Sequence, residues 1–260
     1  MKAMTATPVT AQPISLTGFL CGISTARLQA LFAQEPQRSA DWVHALAAEG
    51  SALAQVCYGR MLLAGTGRPK DEPAALSWFR RAAAQGDLDG INMLGRCLDE
   101  GWGTAIDPAA AAGHYRHAAD AGHAWAQYNL GHLYLDGRGV PRDLAQALAC
   151  YRSAAAQGHA RAMNLVGRCH EQGWGTPADQ AAAAECYRQS AHAGYFRGQF
   201  NWATVLLGQG CREESALWFE RAASTGSAAV RQAVIDAGLR PGAPEPLQRV
   251  AMRLQHPERA

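Results

Sequence analysis

Apolar and small residues recur at three- and four-residue spacings along most of this chain, in short stretches that glycine brings to a stop. In HAWAQYNLGHLYLDG the spacing predicts a helix over 124–135. Gly137 and Gly139, one residue apart, then break it, because glycine enters backbone regions closed to other residues. A second helix follows, with Asp143 placed to cap its free N–H groups. At the matching place upstream, Pro108 follows Asp107, and a first helical turn accepts proline. Gly158, after YRSAAAQ, suits the left-handed residue that closes a helix.

The pattern is periodic. Gly50, Gly86, Gly122, Gly158 and Gly194 are spaced 36 residues apart, and aligning them aligns what lies between. Gly59, Gly95, Gly131 and Gly167 form a column inside the first helix, followed by Ala203. Glycine there costs about 1 kcal/mol against alanine, so the column predicts a close helix contact. The alanine pairs of the second helix, Ala82-Ala83 and Ala118-Ala119, are its expected small partners. An aromatic column runs Phe79, Tyr115, Tyr151, Tyr187 and, after a four-residue shortening, Phe219. GRCLDEGWGT (95–104) and GRCHEQGWGT (167–176) are two copies of one stretch, identical at seven of ten positions.

The pattern A-x-x-x-L-G-x-x-Y-x-x-G-x-G, then D, then A-x-x-x-Y-R-x-A-A-x-x-G resembles the Sel-one-like repeat, a relative of the tetratricopeptide repeat. Residues 126–159 follow it throughout, and the resemblance covers about residues 37–238. It implies an all-α fold, a right-handed α/α superhelical solenoid of about five 36-residue helix-turn-helix repeats with capping helices. ADWVHALAAEG (40–50) matches a lone second helix at the start, and SAAVRQAVIDAG (227–238) a closing first helix. The expected organisation is a tail over 1–36 with room for a short helix, the solenoid over 37–240, and a tail over 241–260. The fifth unit departs from the pattern in its shortened loop, GQGCREES.

Composition narrows the function classes. A net charge of +2 gives no field that would draw the chain to nucleic acid or an anionic membrane. No stretch approaches the roughly 18 apolar residues that a membrane helix needs, so membrane insertion is not expected. Seven cysteines, an odd number without paired spacing, point to a reducing compartment and a cytoplasmic protein. Export to the periplasm is the alternative, since Ile14 to Ile23 is mildly apolar and precedes Ser24-Thr25-Ala26. Ser15, Thr17 and Gly18 interrupt that stretch, however, and Lys2 is its only early positive charge.

Candidate chemistry is sparse. Cys97 and Cys169 share a column with Met61, Leu133 and Val205, so they read as buried hydrophobes rather than nucleophiles or ligands. Two paired cysteines per repeat mark the cysteine-rich relatives proposed to act on cell-wall-related molecules, and this chain lacks that pattern. HEQGW lacks the second histidine of a zinc protease helix, and GTGRPKD lacks the end of a phosphate loop. No catalytic residue, metal ligand or cofactor is therefore assigned. Trp102 and Trp174, each between two loop glycines, read either as pads between neighbouring loops or as exposed anchors for a partner.

The resemblance implies a protein or peptide partner lying in a concavity lined by the first helices, hence an interaction scaffold or adaptor. A regulatory subunit or small-ligand sensor using the same groove is the alternative, and a cell-wall-related hydrolase a more distant one. Three columns carry polar or aromatic groups that packing does not demand. Arg60, Arg96, His132 and Arg168 follow the packing glycine. Asn92, Tyr128 and Asn164 precede it by three residues. Trp125 and Arg161 belong to a third column with Leu53, Asp89 and Arg197. An arginine column flanked by asparagine and aromatics can grip backbone carbonyls and carboxylates. Asp99, Glu100, Asp136 and Glu171, one turn further on, are the competing partners for those arginines.

Overall fold

The computed structural model describes residues 34–256, and the secondary structure of these residues is helical. The short helix expected in the amino-terminal tail, the apolar stretch at Ile14 and Cys21 lie outside the described residues. Cα packing divides the chain into two compact units between Ala105 and Ile106. The first holds α1 (Pro36–Ala48), α2 (Ala52–Ala64), α3 (Glu72–Ala84) and α4 (Leu88–Glu100). The second opens with α5 (Pro108–Asp120), α6 (Ala124–Asp136), α7 (Leu144–Ala156), α8 (Ala160–Gln172) and α9 (Gln180–His192). It closes with α10 (Phe196–Gly208), α11 (Arg212–Thr225), α12 (Ala228–Leu239) and α13 (Glu245–Gln255).

The helices begin and end where the chain supplies caps. Asp71, Asp107, Asp143 and Asp179 each accept a backbone N–H from the first turn of the helix they precede. The first helices use a different set: Ser51 and Asp87 cap α2 and α4, and the imidazoles of His123 and His159 cap α6 and α8. Each such cap satisfies an N–H that the helix itself leaves free, an effect of about 1 kcal/mol. Gly65, Gly101, Gly137 and Gly173 end these helices in the left-handed region.

Glycine also sets how closely the helices approach, though not against the expected partner. A Cβ on Gly131 would lie 2.6 Å from the Tyr151 ring, and one on Gly167 equally close to Tyr187. Gly59 meets Phe79 in the same way. The packing glycine therefore faces the aromatic column, whose flat ring lies against the bare backbone, and not the alanine pairs. Ala82 meets a different position of the first helix, Gly90, where an added Cβ would come within 2.7 Å. The second loop glycine locks neighbouring repeats together. Gly67, Gly103, Gly139 and Gly175 lie on the opening residues of the preceding repeat's second helix, Pro36, Glu72, Pro108 and Leu144. No side chain fits at that contact.

The core follows these contacts. Phe79, Tyr115 and Tyr151 are among the largest fully buried side chains. The carboxyl-terminal end differs from the expected tail over 241–260. Residues 245–255 form α13, which buries Leu247, Val250 and Ala251. Gly238 of α12 makes this possible, since a Cβ there would clash with Ala251 and the Leu247 carbonyl. Lying beyond the last repeat, α13 leaves no trace in the 36-residue pattern.

Candidate partner-binding site

The duplicated stretch builds one device twice. The chain leaves α4 at Gly101, in the left-handed region, and the Trp102 N–H donates to the Cys97 carbonyl at 2.9 Å. That turn folds the indole back over the helix, where the Arg96 guanidinium lies 4.7 Å from its ring centre. Trp174 repeats the geometry, donating to Cys169 at 2.9 Å with Arg168 at 5.1 Å above its ring. Both indoles are half-buried against the cores of their units, so they serve as pads with one face given to arginine. Burial pushes the Cys97 and Cys169 thiols up to about 11, so they stay protonated and unreactive near neutral pH.

In the first unit a groove of about 350 Å³ lies between α2 and α4, bordered by Arg60, Lys70, Glu72, Met93, Arg96 and Trp102. Its charges are partly satisfied from within. Arg60 donates to Asp89 at 2.9 Å, and Lys70 reaches Glu72 at 2.7 Å. The partner of Arg60 is thus the third-column residue of the next first helix. Asn92, only 3 % exposed, belongs to the interior and does not border the groove.

In the second unit a groove of about 380 Å³ crosses α6, α8, α10 and α12. Five of the sequence candidates meet there: Tyr128, His132, Arg161, Asn164 and Arg168. Trp125, 44 % exposed, stands beside it, edge-on to His159 at 4.4 Å and under Arg161 at 5.4 Å. Tyr128 is edge-on to His132 at 4.7 Å. Burial raises the Tyr128 phenol, against the opposing pull of Arg161 and Arg197, which face it. Burial also lowers His132 from the usual imidazole value, so it is neutral at pH 7. Asn201 donates to the Asn164 side-chain oxygen at 2.8 Å.

Tyr195, Arg197, Phe200 and Asn201 also line it, beside the apolar Leu165, Ala229, Val230 and Ala233, and the sequence candidates omit them. Arg197 continues the third column of the sequence and Phe200 the second. Asn201 shares its column with Cys57, Met93, Asn129 and Leu165, which is mostly apolar and gives a weak polar signal. No aspartate or glutamate borders this groove. Among the described residues, no group of three or more His, Cys, Asp or Glu is placed to hold a metal ion. No described helix is long and apolar enough to cross a membrane.

A family model described as Sel1 repeat matches residues 51–87, 88–123, 126–159, 160–195 and 197–227. Among solved structures, the chain is similar to a protective antigen with an SLR fold from uropathogenic Escherichia coli strains, at 26% identity and a TM-score of 0.64. That similarity covers 85% of this chain but 48% of the antigen, so this chain spans about half of its length. A Sel1 repeat protein from Oxalobacter formigenes aligns over 91% of this chain and 99% of its own, at 24% identity and a TM-score of 0.76. An immunity protein from Pseudomonas aeruginosa shares the fold at 14% identity and a TM-score of 0.53, covering 78% of this chain and 79% of its own. No curated protein matches the chain. These alignments agree with an all-α solenoid of tandem helix pairs.

Proposed function

The chain belongs to the Sel1 repeat family, and on that premise we propose that it is a scaffold or adaptor that holds a partner protein or peptide in the groove of its second unit. Sel1 repeat proteins are generally protein-interaction scaffolds, and the solenoid is typically non-catalytic. The observation that carries the finer reading is the composition of the groove: three arginines, a hydrogen-bonded asparagine pair and exposed aromatic surface, with no carboxylate along its border. Such a surface offers donors to main-chain carbonyls and area to apolar side chains, which is what an extended segment requires. Trp174 then acts through the Arg168 it supports rather than as a direct anchor.

The test is capture from the native cell, followed by titration of the identified partner against wild type and the Arg161→Glu, Arg168→Glu double variant. Both side chains are exposed, so the circular dichroism melt should be nearly unchanged. Affinity should fall about 10-fold or more, and the wild-type interaction should weaken with salt. Equal affinity in the folded double variant would remove the partner from this groove. A captured small molecule whose binding the double variant abolishes would instead make the same groove a sensor.

A further inference from the structure

Resting on the groove reading above, we infer that the occupant is an acidic linear segment, a short extended stretch of a partner protein in which Asp or Glu side chains flank an apolar residue. Arg161 and Arg197 hold the same repeat position on the neighbouring helices α8 and α10, 36 residues apart, and so form one cationic edge. Arg168, two turns further along α8, marks the opposite edge. Between these edges Leu165, Phe200 and Val230 supply an apolar floor. A guanidinium is always charged and matches a carboxylate with two parallel donors, and no side chain bordering this groove supplies one.

The spacings agree. Adjacent helices pack roughly 8–10 Å apart, while side chains on one face of an extended chain recur about every 7 Å. Acids two residues apart can therefore reach guanidiniums on successive helices, since arginine's length absorbs the difference. Asn164 is only 3 % exposed and holds the half-buried Asn201 through their bond, so Asn201 is the amide placed to meet the ligand main chain. Inorganic phosphate or nucleic acid would engage the same cations but leave the apolar floor uncovered.

The groove of the first unit is not expected to take such a segment. Glu72 borders it and pairs with Lys70, and Asp89, in the column of Arg197, bonds Arg60 from outside that border. Acids of the chain thus answer cations of the first groove, and no acid borders the second.

The test selects a displayed random dodecapeptide library on the full chain and titrates the winning peptide, fluorescein-labelled, by anisotropy. Winners should carry at least two acidic residues around one aromatic or aliphatic residue. Their affinity should fall at least 10-fold in the Arg161→Gln, Arg197→Gln variant. It should rise in Ala229→Arg, which extends the cationic edge onto α12 at an exposed position. Neutral or basic winners that a bulky Ala233→Trp still blocks would overturn the acidic inference and leave the groove reading standing. Winners indifferent to every groove substitution, or a library without winners, would overturn both.

Discussion

The two units are built alike and differ in what their grooves do with arginine. Each buries an aromatic ring against a packing glycine, Phe79 on Gly59 in one and Tyr151 on Gly131 in the other. Each carries the arginine-on-tryptophan stack, Arg96 on Trp102 and Arg168 on Trp174. Twenty-nine residues after the groove arginine the units part: Arg60 meets Asp89, whereas the residue at the same offset from Arg168 is Arg197. One groove answers its own charge and the other accumulates it. Repeat architecture allows this, because Asp89 and Arg197 occupy a solvent-facing column that can change sign while the buried columns keep the repeats packed.

Breaking the shared scaffold should have the largest effect. Gly131→Val drives a branched side chain into the Tyr151 ring and should lower stability by about 2–3 kcal/mol, read from a denaturant midpoint. Gly59→Val should cost the same against Phe79. Gly113→Ala, by contrast, meets open space within α5 and should raise stability by up to about 1 kcal/mol. Equal effects at Gly131 and Gly113 would mean that helix propensity, not ring contact, governs the glycine column.

The groove arginines should matter far less to folding, and unequally. Arg168→Met gives up the stack over Trp174, worth about 0.5–1 kcal/mol. Arg60→Met breaks an ion pair whose two side chains are both about half exposed, worth about 0.5 kcal/mol or less. Paired denaturation curves that reversed this order would show Asp89 to be a structural partner rather than a neutralising one.

Much of the scaffold was legible in the sequence because the 36-residue period placed glycines, aspartate caps and aromatics in columns, and each has a local physical meaning. What faces what across two helices was not legible. Alanine looked like the natural neighbour of the packing glycine, yet a ring edge fits a bare backbone as closely, and no one-dimensional pattern separates the two. His123 and His159 escaped notice as caps because an imidazole is an unusual acceptor there. The α13 helix lies beyond the last repeat and shares none of its columns. In the candidate site, columns one and three were each visible alone. The bond between them, Arg60 to Asp89, depends on how successive first helices align side by side, and only the fold supplies that.

The exchange of Asp89 and Arg197 tests the account most directly. The doubly substituted chain, Asp89→Arg with Arg197→Asp, keeps the same net charge and composition. Calorimetric titration with an acidic peptide selected on wild type should show Arg197→Asp alone weakening binding at least 10-fold, as the introduced carboxylate takes up Arg168. The added Asp89→Arg should restore an acid-binding site, with peptide protection from protease shifting from α8 and α10 to α2 and α4. Unchanged affinity in Arg197→Asp, with the melt intact, would contradict the claim that the charge at this position holds the partner in the second groove.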